Sequence, residues 1–277
     1  MRYFLSALLF LPLLSYVKAQ ELYFPGDDNQ GYIVTLLEHV LTYSPDKNYQ
    51  LKFYNQNVPK VRVFEMIANN QGIDIVAAGA TNERELKLRP IRFPILKGLN
   101  GWRISFVTQD NKNIFAKKMP HKAFNTLKVG QLHSWSDSKI LESNGINVQK
   151  ASSYQGLFNM LEKGRFDLFP RSIIEVDWEL EKNKHRNIAK EPHIIIHYPT
   201  AYYFFVSKEN ESLARDIEKG LEMALTDGSF DKLFDHYYGD IVDKVRAEKR
   251  IVYNLHNPFL PEKTPRNRAK LWVDLGR

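Results

Sequence analysis

The chain has 277 residues, is 43% hydrophobic and 26% charged, contains no cysteine and carries a formal net charge of +7. Such values exclude a disordered chain, a disulfide framework and a thiolate metal site. The basic excess is scattered, with no Lys/Arg run interleaved with aromatics as a nucleic-acid groove needs, so it marks either an anionic ligand or partner or simply a soluble surface.

Residues 1–19 read as a secretory signal. Arg2 precedes an apolar run from Phe4 to Leu14, and Val17-Lys18-Ala19 forms a small-residue cleavage site before Gln20. The run is too short to span a bilayer, and no second one of about 20 residues follows. The expectation is a soluble, periplasmic, monomeric protein, without a lipid anchor because there is no cysteine to carry one.

Beyond the signal, Gly31 to Leu41 places Ile33, Leu36, Leu37, Val40 and Leu41 at helical spacing, and Leu51 to Tyr54 reads as a strand. A short helix over Val61 to Asn69 leads through Gly72 into an apolar strand, Ile73 to Ala78, which suggests a buried parallel sheet with crossover helices. Pro90 to Asp110, with its extended run Ile104 to Thr108, is a connection. A comparable unit follows: strand Leu127 to Leu132, helix Ser134 to Ser143, helix Ser152 to Lys163 stopped by Gly164, and strand Phe166 to Phe169, with serines as N-caps. His193 to His197, the break at Pro199 and the run Tyr202 to Ser207 make a second connection. Leu213, Ile217, Leu221 and Leu225 then share one helical face that ends at Asp227-Gly228. Two sheets and two connections imply a chain that leaves one lobe, builds another and returns.

Three stretches in this order and spacing resemble the bacterial extracellular solute-binding proteins of family 3, which include the polar amino-acid receptors of ABC importers. They are Gly72 to Gly79 running into Thr81-Asn82-Glu83-Arg84, Leu161 to Asp167, and Phe205 to Glu209 continuing to Asp227-Gly228-Ser229-Phe230. The block Arg84 to Arg103 and the tail Asn257 to Pro261 are similar to a less characterised branch of that superfamily. The resemblance implies a two-lobed α/β type II periplasmic binding fold. Its first lobe is expected over 20–98, the second over 99–201, and the first again over 202–277 with a C-terminal extension.

The resemblance also implies a ligand site in the interlobe cleft. Arg84 matches the arginine that grips a ligand carboxylate, and a guanidinium fork suits that role physically; the alternative is pairing with Glu83 or Glu85. Thr81 and the amides near Gly79 add donors. In the second lobe Ser134, Trp135 and Ser136 stand at a helix start, where orphan amides favour anions unless the serines only cap the helix. Trp135 either covers a ligand face or packs. Receptors of the family usually carry an aspartate for the ligand's α-ammonium where this chain has Ser172, preceded by Arg171. That reversal makes an ordinary α-amino acid a doubtful ligand and favours a small polar anion. Glu175 is near enough in sequence to take the role. Trp102 and Arg103 either line the cleft floor or pack across the hinge.

No cofactor and no metal are expected, since Ile194-Ile195-Ile196 between His193 and His197 reads as a strand. Phosphate loops, zincin patterns and nucleophile elbows are absent from the sequence. The expectation is a binding protein and not an enzyme, working with an ABC permease or a membrane sensor. The same fold as a protein-partner module, or as a dehydratase-like enzyme with Glu175 as acid/base, is the alternative.

Overall fold

The computed structural model describes residues 19–27, 31–56, 58–116 and 124–276; positions 1–18 of the expected signal lie outside the described residues. A first layer starts with β1 (Gln20–Pro25) and β2 (Tyr49–Tyr54), paired in parallel and joined by helix α1 (Tyr32–Leu41). Helix α2 (Lys60–Ala68) then leads to β3 (Ile75–Gly79), which pairs antiparallel with β11 (Tyr202–Val206), itself paired with β4 (Arg89–Ile91). Asp74 ties β3 to β1, its amide on the Tyr23 carbonyl at 2.9 Å and its carboxylate accepting from the Tyr23 amide at 2.8 Å. Between β3 and β4 lies the short helix α3 (Asn82–Lys87).

The second sheet is centred on β5 (Trp102–Thr108), antiparallel to β8 (Phe169–Ser172), β9 (Ile188–Lys190) and β10 (Ile194–His197). Strands β6 (Lys128–Leu132) and β7 (Asn147–Ala151) pair in parallel and reach β8 through the Gly130 amide on the Leu168 carbonyl, 2.8 Å. Helices α4 (Ser136–Ser143), α5 (Tyr154–Glu162) and α6 (Val176–Lys182) cover it. Two long helices, α7 (Glu211–Asp227) and α8 (Ser229–Ala247), follow β11, with Gly228 at φ 81° turning between them. Ala and Leu spaced along α7 bury one face against α1, where Gly220 lets the Val40 carbonyl approach.

Several local expectations are corrected. Helix α4 starts at Ser136, not Ser134, and its cap residue Trp135 makes no side-chain cap bond. Trp135 is held extended because its ring stacks on Phe169 and lies under the Arg171 guanidinium, 4.5 Å away. Ser153 does cap α5, accepting from the Gly156 amide at 3.1 Å. The strand expected over Phe166 to Phe169 forms at Phe169–Ser172, since Asp167 turns its carboxylate onto the Lys128 amide (2.8 Å) before the ladder begins. That shift places Arg171 inside a buried strand. The largest departure concerns 202–277: β12 (Ile251–Asn254) pairs in parallel with β10 and so joins the second sheet, not the first.

Candidate functional site

The carboxyl ends of β1 and β2, the start of α1 and the first residue of β11 surround a cavity of about 570 Å3. Phe24, Tyr32, Tyr202 and Tyr238 give it aromatic walls, with Asp27 and Lys60 among its charged neighbours. Its volume suits a small organic solute, and its place outside strand carboxyl ends is where open α/β sheets bind ligands. None of the ten residues expected from the sequence lines this cavity directly. The aromatic walls went unnoticed in the sequence, where the only signal was Phe24 ahead of the Pro25-Gly26-Asp27 turn.

Gly79 and Arg84 stand beside the cavity. Gly79 is register partner to Tyr202, and Thr81 caps α3 by accepting from the Arg84 amide at 3.1 Å. The Arg84 guanidinium donates to the Gly79 carbonyl and packs on the Phe64 ring, 4.4 Å from its centroid. Neither neighbouring acid takes it: Glu85 pairs with Arg92 at 2.6 Å and Glu83 with Lys87 at 3.8 Å. Among the described residues no carboxylate pairs with Arg84, and burial lowers its pKa, the mark of a desolvated cation without a counter-charge.

On the second sheet the expected cations are already engaged. Arg171 makes a bidentate pair with Glu179, Nε to Oε2 at 2.8 Å and Nη2 to Oε1 at 2.7 Å, and also reaches Glu175 at 3.0 Å. It is thus a structural cation over Trp135, not a free contact for an anion. Arg103 is buried and pairs with Asp137 at 2.6 Å, beside Tyr198, whose hydroxyl donates to the same carboxylate at 2.5 Å. Asp137 sits in the first turn of α4, so the amide-rich helix start that an anion would use carries its own carboxylate. Ser134 and Ser136 are exposed beside it, while Ser172 is buried at the Leu99 and Asn100 connection.

Glu175 does not line the cavity, but it is the second-sheet carboxylate that acts on one of its walls, Tyr238. It bears on Arg103 from one side, and with Tyr237 and Tyr202 it adds to the burial that pushes Tyr238 up to about 12. The charges of Arg171, Glu175 and Glu179 sum to −1, whereas Arg84 has no carboxylate partner among the described residues.

Trp102 stacks on His197, its register partner on the neighbouring strand β10, with ring centroids 3.9 Å apart. Burial lowers the His197 pKa from its usual 6.5, against a smaller raising effect of the Asn254 hydrogen bond. The unfolded chain therefore takes up this proton first on acidification, so stability is full above about pH 6.5 and falls as pH drops toward the depressed folded value. The midpoint of thermal unfolding is expected to decline across that window. His197→Phe, which keeps the stack, should flatten the decline; an unchanged slope would assign it to other groups.

No family model and no curated protein matches this chain. Among solved structures it is similar to an ancestral arginine-binding protein bound to arginine, with 18% identity over 79% of this chain and 98% of that one, TM-score 0.57. It is also similar to the probable amino-acid ABC transporter extracellular-binding protein YtmK from Bacillus subtilis, with 20% identity over 80% and 99% of the two chains and TM-score 0.61. The chain has a type II periplasmic binding fold. A histidine kinase sensor domain with similarity to periplasmic binding proteins shares that fold, at 13% identity over 80% and 97%, TM-score 0.56. These three are binding or sensing domains, not enzymes. No described helix is long and apolar enough to cross a membrane.

Proposed function

We propose that this chain is an exported, periplasmic solute-binding protein that captures a small zwitterionic solute between its lobes. The ligand carboxylate lies toward Arg84 and Thr81, and its ammonium group toward Glu175; the closed form is then presented to an ABC permease or a membrane sensor. What supports this reading is that Arg84 has no carboxylate partner among the described residues, while the Arg171, Glu175 and Glu179 cluster carries one excess negative charge. A solute bearing both charges gains from touching both lobes at once, and that differential contact favours closure. A purely anionic ligand would meet Glu175 and Asp137 on the second lobe, which replaces the sequence-based preference for an anion. The arginine bound by the ancestral protein above carries the same pair of charged groups.

The test is a thermal-shift and calorimetric screen of the chain from Gln20 against amino acids, dicarboxylates and sugar acids. A zwitterion at 100 times its Kd is expected to add about 2.7 kcal/mol of stability. Arg84→Ala and Glu175→Gln should each weaken its binding roughly 30-fold, about 2 kcal/mol for a lost charged hydrogen bond. If dicarboxylates alone bind, and Glu175→Gln tightens them, the zwitterion reading is wrong and the anionic one stands.

A further inference from the structure

The segment after α8 crosses between the lobes twice more than the two connections of the sheets. Already at the end of α8, Lys244 reaches Asp177 of α6 at 2.6 Å. Strand β12 then extends the second sheet, with the Ile251 amide on the His193 carbonyl (2.8 Å) and the Leu255 amide on that of His197 (2.7 Å). His256 is held from both sides by Asn144, the cap residue at the end of α4, at 2.9 Å and 2.7 Å. Asn257 next donates to the Pro199 carbonyl at 2.8 Å, inside one hinge connection. The chain continues onto the first lobe, where Arg268 makes a bidentate pair with Glu222 of α7 at 2.6 Å and 2.7 Å and Leu271 is fully buried.

It ends on the other hinge connection. The Val273 amide donates to the Lys97 carbonyl at 2.9 Å, and the Trp272 ring lies so close over Gly98 that a Cβ there would come within 2.6 Å of it. Gly98, at φ 75°, therefore answers two demands, the left-handed backbone and the ring above it. Trp272 is fixed in turn by its indole N–H on the Pro265 carbonyl, 2.9 Å.

We propose that residues 248–276 form a strap that holds the two lobes together and narrows the range of hinge opening. Lobe rotation in such folds is absorbed by dihedral changes in the few residues of the connections. Here each connection is bonded to the strap, at Lys97 and at Pro199, and the strap is anchored on α4 and β10 at one end and on α7 at the other. Dihedral changes in either connection work against the bonds that hold it to the strap, so opening beyond the rest angle strains them. The strap raises the share of molecules already near the binding-competent angle, which tightens apparent affinity in proportion.

The absence of native cysteine allows spin labels at two exposed positions, Asn82→Cys on α3 and Lys139→Cys on α4. Pulsed electron resonance then reads the interlobe distance without any ligand, so the result does not depend on the solute. Relative to the labelled parent, Asn257→Ala with Trp272→Ala is expected to give a longer mean distance and a broader distribution. Should that pair fail to fold, Asn257→Ala alone, which removes one hydrogen bond at Pro199, is expected to shift the distance in the same direction. A folded variant with the parent's distribution overturns the proposal.

Discussion

Gly101→Ala is expected to destabilise the protein by about 3 kcal/mol, the upper range for overpacking a site that cannot relax. Gly101 is where the two hinge connections cross: its carbonyl accepts from the Tyr198 amide at 3.1 Å, and an added Cβ would stand 2.2 Å from the Tyr198 carbonyl and 3.2 Å from the Thr200 hydroxyl. Relief would require moving backbone, because Tyr198 is fully buried and anchored by its hydroxyl on Asp137. Gly239→Ala provides the contrast. Its Cβ would meet nothing nearer than the Asp235 Cβ at 3.7 Å within α8, so it is expected to gain about 0.5–1 kcal/mol from helix propensity. Urea denaturation of both variants checks this, and equal midpoints would mean that the crossing is loosely packed.

The second large effect is expected at Glu179. Its side chain is 1% exposed and is the main partner of Arg171, itself 8% exposed. Glu179→Leu leaves a guanidinium in the interior with, among the described residues, only Glu175, at 3.0 Å, to answer it. Removing one member of such a pair costs about 3–5 kcal/mol, and the remaining contact to Glu175 places this case at the low end. The double variant Arg171→Met/Glu179→Leu removes both charges and should recover most of the loss. If it is no more stable than Glu179→Leu alone, desolvation of the cation is not the cause. The same cycle separates stability from binding. Because Arg171 works through Glu179 and Trp135, Arg171→Met/Glu179→Leu should leave a first-lobe contact such as Arg84 intact while altering the position of Glu175.

The two proposals meet at the hinge. Ligand capture needs rotation at Gly98 to Gly101 and around Pro199, and the strap is bonded to both regions. A protein with this strap is expected to open less than the same lobes without it, and to give up less free energy on closing.

Much of the architecture follows from local sequence. The apolar spacing of α1 and α7, the run ahead of Gly79, the Ser153 cap and the Asp227-Gly228 stop are short-range signals, decided within a few residues by side-chain period and backbone freedom. They suffice for two α/β regions and two connections. They also place Arg84 just past a strand, where it is found without a carboxylate partner among the described residues.

What local pattern does not carry is which distant groups meet. Arg171 read as a cation available to a ligand, but Glu179, one turn into the next helix, takes it once both are buried. Trp135 delays α4 because Phe169 and Arg171 wait on another strand. The cavity's aromatic walls come from four separate elements, and β12 joins the second sheet only because β10 has an open edge beside it. Periodicity and capping are properties of neighbouring residues and can be read along the chain; charge pairing, cavity walls and the strap depend on contacts between residues far apart in sequence, and only the packed structure decides those.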